Sequence, residues 1–209
     1  MCYRNGMFVR RFARRAAMIL LAFSCTVFAA ATSHASVSIA VSWDGLLRES
    51  SSACIVTAVD AHGAWENGRI YTYTHVHIDR AVAGSLATGD DVWVRTMGGV
   101  VDDIGQRVEG EATLAPGQSS LLFLRPGLST VVAHSFEVTA RGQGHFPLQT
   151  ADRKLPARIA PGYALGLLVR PRVIQSDASP RLAAEVLLGR TVDEAVREVS
   201  AAWNQMHAP

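Results

Sequence analysis

The chain has 209 residues, with 20 basic and 18 acidic side chains and a formal net charge of +2. Five of the arginines and none of the acids fall in the first 35 residues, so Ser36 to Pro209 carries 15 basic against 18 acidic residues, a net charge of −3. A mildly acidic body gives no electrostatic reason to bind nucleic acid or an anionic membrane, and a chain of that length suffices for one domain with its own core.

Arg4, Arg10, Arg11, Arg14 and Arg15 precede an apolar run from Ala16 to Ala31, broken only by Ser24, Cys25 and Thr26. Ser33-His34-Ala35 follows, with small residues at the two positions a signal peptidase inspects. Basic, apolar, then small-x-small is the layout of a cleavable signal peptide. The run would span about 24 Å as a helix, short of the ~30 Å hydrocarbon core that a permanent anchor must cross. Cleavage is expected after Ala35, with Ala31 as the second choice. Cys25 lies inside the apolar run, which argues against a lipid anchor. Arg10-Arg11 and Arg14-Arg15 lack the residues that follow a twin-arginine signal. The reading is an exported chain, periplasmic or extracellular, that meets the membrane only during export. Cys2 and Cys25 would leave with the leader, so Cys54 stands alone and the core must hold the fold without a disulfide.

Val37, Ile39, Val41 and Trp43 alternate with small polar residues, a period-two strand. Asp44 to Ser50 reads as one or two helical turns with Asp44 as N-cap. Ala53 to Val59 is uncharged and β-branched, as expected of a central strand. Glu66-Asn67-Gly68-Arg69 predicts a tight turn into the longest strand, Ile70–Val82. Val92–Met97 is a further strand, ended by Gly98-Gly99. Val100–Gln118 reads as a long loop or loose hairpin. Ser120–Leu124, Thr130–Ala140 and His145–Gln149 are further strands. The stretch from Ala151 to Gln175 is irregular, with room for a strand within Leu165–Ile174. Leu182–Leu188 predicts a helix capped by Gly189, and Thr191–Glu194 is a capping box opening a last helix. Val192, Ala195, Val196, Val199 and Trp203 share one face of it, expected to plug the barrel. The sum is a mainly β chain: an OB-like small β-barrel of six to eight strands, with a short helix before it and a C-terminal amphipathic helix. Residues 36–150 form the barrel domain, and residues 151–209 pack on it.

The order of motifs from Trp43 to Pro147 resembles a group of secreted bacterial β-domains of unknown function. The residues that carry it are Ser51-Ser52, Cys54–Val59, Trp65, Ile70–Thr74, Ala83-Gly84, Gly98-Gly99, Gly105 through Gly110, Pro116-Gly117, Leu121–Leu124 and Gly142–Phe146. The same order is weakly similar to netrin-like domains and the tissue inhibitors of metalloproteinases, which are five-stranded OB-type barrels. That resemblance implies a fold. The inhibitors act through an N-terminal Cys and several disulfides, and this chain has neither, so their mechanism is not carried over.

Tyr71, Tyr73, His75 and His77 fall on one face of the long strand, with Thr72, Thr74, Val76 and Ile78 on the other, core-facing side. Trp65, Tyr71 and Tyr73 are the expected partner surface, an exposed aromatic row. His75 and His77, about 7 Å apart along a strand, are the zinc candidates. His62, His134, His145, Asp79 or the acidic loop would have to complete such a site. Asp90, Asp91, Asp102, Asp103, Glu109 and Glu111 are calcium candidates in an exported chain. Neither HExxH, CxxC nor a phosphate loop is present, and no cofactor is expected. Cys54 reads as a small core residue. These features favour a non-enzymatic exported domain that binds another protein or a surface component, in a narrower form as accessory to or inhibitor of a secreted protease. The alternatives are a metal-dependent hydrolase built on His75 and His77, and a structural envelope protein.

Overall fold

The computed structural model describes residues 37–150, 152, 155–162, 167–170 and 180–208. The expected leader, residues 1–35, lies outside them, as does part of the irregular stretch after Ala151. In chain order the elements are β1 (Val37–Ile39), α1 (Trp43–Glu49), β2 (Ser52–Glu66), β3 (Arg69–Gly84), β4 (Asp91–Met97), β5 (Gly99–Val101), β6 (Ile104–Gln106), β7 (Ser119–Pro126), β8 (Phe136–Val138), β9 (His145–Gln149), β10 (Arg158–Ile159), β11 (Leu167–Val169), α2 (Ala183–Leu187) and α3 (Val192–Met206).

Asn67 (φ 52°) and Gly68 (φ 75°) both hold the left-handed conformation that a two-residue hairpin requires. They fold β2 back onto β3 in the register Glu66↔Arg69. β3 then pairs with β4, and β2 pairs along its first half with β7, all antiparallel. β8 pairs antiparallel with β7 and parallel with β4, and so closes the ring β2-β3-β4-β8-β7. β9 and β10 extend the same sheet from the first half of β7. The expected OB-like barrel is therefore present as a five-stranded ring with two added strands.

The absence of charge in Ala53–Val59 and Leu121–Leu124 has a direct cause. Ala53, Ile55, Leu121 and Phe123 face a helical layer, while Cys54, Val56, Ala58, Leu122 and Leu124 face the barrel interior. Both faces of these strands are buried, so neither face tolerates a charge. In the helical layer, Trp43 meets Phe123 edge-on at 6.1 Å, and Phe123 meets Phe146 at 6.0 Å. Ala183, Val186, Leu187, Ala195, Val196 and Val199 complete this layer. The last helix thus packs on the outer wall of the barrel instead of plugging its end, because its apolar stripe meets the outward residues of β2 and β7.

Two local readings change. Ser42, not Asp44, caps α1, accepting from Gly45 N at 3.1 Å; Asp44 sits in the first turn, where its charge suits the helix dipole. Of the expected strand Thr130–Ala140 only Phe136–Val138 pairs, because the residues before it form a loop tied to the barrel by side chains. The Thr191 capping box forms as expected, with Thr191 N donating to Glu194 Oε2 at 2.8 Å. Among the described residues no helix is long and apolar enough to cross a membrane.

His145 is 3 % exposed on β9, its Nε2 3.1 Å from Ser120 Oγ. Burial pulls it down to about 4. A base whose folded value lies below its unfolded value contributes stability in full above the unfolded value, about 6.5, and loses it as the pH falls toward 4. Thermal melts of the protein should therefore show a falling midpoint between about pH 6.5 and 4. His145→Gln, which cannot take up the proton, should flatten that part of the profile.

Candidate binding face

A bulge decides what the sheet presents. The β2–β3 register slips between Ala58 and Asp60, so Val59 is an extra residue and the side-chain parity of β2 reverses beyond it. Asp60, His62 and Glu66 thereby turn to the outer face of the barrel. They line up across the sheet in rows: His62, Tyr73 and Arg95; Asp60, His75 and Trp93; Thr57, His77 and Asp91.

The expected partner row is split by this geometry. Trp65 is 48 % exposed, but it pairs with buried Ile70 and so lies on the opposite face of the hairpin from Tyr73. Tyr71 is half-buried beneath the Arg95 guanidinium, whose Cζ stands 4.5 Å from the ring centroid. Tyr73 is fully buried, which corrects the expectation that it is exposed. The reason is polar: its hydroxyl donates to Glu66 Oε2 at 2.8 Å and meets Ser129 Oγ at 2.5 Å, and His62 stacks on its ring at 5.7 Å.

Glu66, 4 % exposed, organises this face. Its Oε1 accepts from Thr130 N at 2.5 Å and Thr130 Oγ1 at 2.9 Å; its Oε2 accepts from Arg95 Nη1 at 2.7 Å as well as from Tyr73. Arg95 Nη1 also donates to Leu128 O at 3.0 Å, and Nη2 pairs with Glu137. Burial alone raises the Glu66 carboxyl; the bonds from Thr130, Tyr73 and Arg95 outweigh it and hold it at about 2. Burial likewise works against the Arg95 charge, and Glu137 and Glu66 reverse the effect, pushing Arg95 above its ordinary value. The network pins one surface loop, Gly127–Ser135, whose base is closed by Gly127 N donating to Ser135 O at 2.7 Å. Within it Leu128 is 86 % exposed and Val131 is 49 % exposed. The sequence marked Glu66 only as the start of a turn. Two of its partners, Arg95 and Thr130, come from distant segments, so no local signal could reveal the whole network.

The histidine pair rests beside two aspartates. His75 Nε2 and His77 Nδ1 lie 3.7 and 3.0 Å from the same Asp91 Oδ1, and His75 Nδ1 lies 3.5 Å from Asp60 Oδ2. His75 also packs on Trp93 at 5.0 Å. His134 sits on the loop, His145 is buried on β9, and Asp79 accepts from Thr57 at 2.6 Å. The acids do not gather either: Asp90 caps Ala87 N, Glu109 pairs with Arg107, and Glu111 is buried elsewhere. Among the described residues no group of three or more His, Cys, Asp or Glu is arranged to hold zinc or calcium. Cys54 is buried in the barrel, and burial pushes its thiol up to about 11, so it is no nucleophile at neutral pH. In comparisons with known proteins, no family model, curated protein or solved structure matches the chain.

Replacing Glu66 with Ala removes one acceptor from buried Arg95 and from the Tyr73 hydroxyl and leaves Thr130 N and Oγ1 without theirs. The urea-unfolding free energy should fall by about 3–5 kcal/mol, the usual cost of removing one member of a buried pair. In the unaltered protein the Glu66 contribution is present above its unfolded value, about 4.3, and is lost as the pH falls toward 2.

Proposed function

We propose that this chain is an exported, non-enzymatic β-barrel domain that binds another exported protein or a surface component. One observation carries the reading. A buried carboxylate and a buried guanidinium are committed to holding a surface loop in one conformation, with a large apolar side chain of that loop left in solvent. Buried ion pairs are weak stabilisers, so stability alone accounts poorly for such a network. A loop fixed in advance loses little entropy on docking, and that is where the cost is recovered. Leu128 is the anchor in this reading, and Val131 is its neighbour. Beside them, His62, His75 and Trp93 offer side chains suited to a protein contact.

The narrower form, in which the partner is a secreted protease and this chain its accessory or inhibitor, draws on the netrin-like resemblance and is fold analogy. It carries a geometric condition. The Leu128 carbonyl accepts from Arg95 and so is turned toward the barrel. An inhibitory contact would therefore use the Leu128 side chain and would not offer the Leu128–Ser129 peptide bond as a substrate does. Export itself rests on the basic, apolar and small-x-small pattern of residues 1–35.

The purified protein, immobilised and exposed to the exported fraction of the cells that make it, should retain a defined protein or surface component. Leu128→Asp should weaken that retention at least about tenfold, an effect of about 1.4 kcal/mol. Leu155→Asp, which alters another exposed leucine (57 % exposed), should leave it unchanged. Equal retention by both variants, or no retained component, would refute the proposal.

A further inference from the structure

Beside the hairpin of β5 and β6, at one end of the barrel, lies an open cleft of about 550 Å³. The hairpin folds back over the inner face of β2 and β3. A Cβ at Gly63 would stand 2.1 Å from the Val100 carbonyl oxygen, and one at Gly99 would stand 2.2 Å from Thr72 Oγ1. Only glycine permits so close an approach at these two positions. The segment leading to β7 forms the other wall, with Ala112 and Leu114 sunk into the barrel core. The volume falls in the range of small-ligand sites, and barrel mouths are among the places where such sites occur.

The walls are apolar at Met97, Val108 and Leu114, and polar at Thr96 and Glu111. Thr96 and Glu111 are 6 % and 8 % exposed. Thr72 spends its hydroxyl on Gly98 O at 2.7 Å, while Thr74 Oγ1, two residues along the same face, is buried without a partner. Glu111 Oε1 accepts from Ala112 N at 3.3 Å, the Met97 backbone also bonds the carboxylate, and Oε2 is 3.9 Å from Arg141 Nε, on a side chain 55 % exposed; Glu137 stands near enough to oppose its charge. At the rim Arg107 and Glu109 neutralise one another at 3.0 Å. The cleft therefore combines an apolar wall with one buried carboxylate, whose charge burial disfavours despite those partners.

We infer that this cleft binds an alkylammonium group. The ammonium pairs with Glu111 and uses the Thr96 hydroxyl as a second acceptor, and its methylenes lie along Val108 and Leu114. A charge-assisted hydrogen bond is stronger than a neutral one, and a cation beside Glu111 offsets the cost of burying its charge. An anion would be repelled, and an uncharged apolar ligand would leave the carboxylate as it is. The source is either a free amine or the lysine side chain of a protein. This site lies on the inner side of β3 and β4 and does not depend on the protein-binding reading. Because burial raises the Glu111 carboxyl above its ordinary value, amine binding is full above that raised value and falls as acid neutralises the group.

Calorimetric titration of the purified protein with hexylammonium, hexanol and hexanoate at about pH 7.5 tests the inference. Hexylammonium should bind at least about tenfold more tightly than hexanol, and hexanoate should not bind. Glu111→Gln should abolish the preference for hexylammonium over hexanol. Equal affinity for hexanol and hexylammonium, or an undiminished preference in Glu111→Gln, overturns the site while leaving the Leu128 reading untouched. Should Glu111→Gln not fold, the unaltered protein decides. Its hexylammonium affinity must fall as the pH is lowered from about 7.5 to 4, and a constant affinity overturns the assignment. N-acetyl-lysine methylamide separates the sources: tighter binding than hexylammonium assigns the cleft to a lysine side chain, and weaker binding assigns it to a free amine.

Discussion

The architecture depends on two strands that are buried on both faces. β2 and β7 lie between the barrel interior and the helical layer, and their alternating residues belong to two different cores. At roughly 25 cal/mol per Å² of apolar surface removed from water, each such residue contributes to one core or the other with no solvent face left over. This arrangement leaves little freedom. A one-residue slip of β2 against β7 would exchange Ile55 for Cys54 and Phe123 for Leu122, putting large side chains into a barrel packed around small ones. The helices consequently have one place to dock, on the outer wall formed by Ala53, Ile55, Leu121 and Phe123. The rest of the ring is free to open outward toward solvent.

Val59 turns that packed frame into a presenting surface. Before it, the even residues of β2 face inward; beyond it, Asp60, His62 and Glu66 face out. Without the extra residue, Glu66 would point into the barrel, where no cation waits for it. With it, Glu66 meets Arg95 across β3, and the loop between β7 and β8 closes over the pair. The network is costly to desolvate and makes four bonds to Glu66, two of them from Thr130. The same charges in water would be mobile and cheap. Burying them trades net stability for a single loop conformation, which is a sensible exchange only where conformation matters.

The barrel was legible in the sequence to the extent that local chemistry dictates it. Asn67-Gly68 specifies its turn, Leu121–Leu124 specifies a doubly buried strand, and Thr191 with Glu194 specifies a helix start. Each acts through neighbours a few residues away. The candidate face was legible only in part. Period two correctly set His75 and His77 on one side of β3 and Val76 and Ile78 on the other. It could not show that Tyr73 would be covered, because the cover comes from Ser129, His62 and Glu66, brought in by the hairpin, the bulge and the closing loop. Reading β2 as an unbroken alternation also hides the reversal at Val59, since a bulge leaves no compositional mark in Ala58-Val59-Asp60. The histidines show the same limit from the other side. Their spacing suits a metal, but the cross-strand neighbours the fold supplies are Asp91 and Trp93, and these give the imidazoles an acid and an aromatic ring to rest against.

Arg95 and Thr96 show how the two faces of one thin sheet are kept apart. They are adjacent in β4, yet the guanidinium serves the outer network and the hydroxyl borders the inner cleft. Glu111 stands near the divide, bordering both the cleft and the small recess that holds Arg95, Glu137 and Arg141. Glu66 and Glu111 are both buried carboxylates, but they face opposite outcomes. Four donors converge on Glu66, and its acidity is enhanced far enough that its charge persists through the whole physiological range. Glu111 has the Ala112 and Met97 backbone bonds and an arginine at 3.9 Å, and burial still dominates it. Depth in the protein does not separate the two groups, since 4 % and 8 % exposure are alike. What separates them is how many donors the fold has placed within reach: four at hydrogen-bond distance of Glu66, and fewer around Glu111, so that burial decides the second.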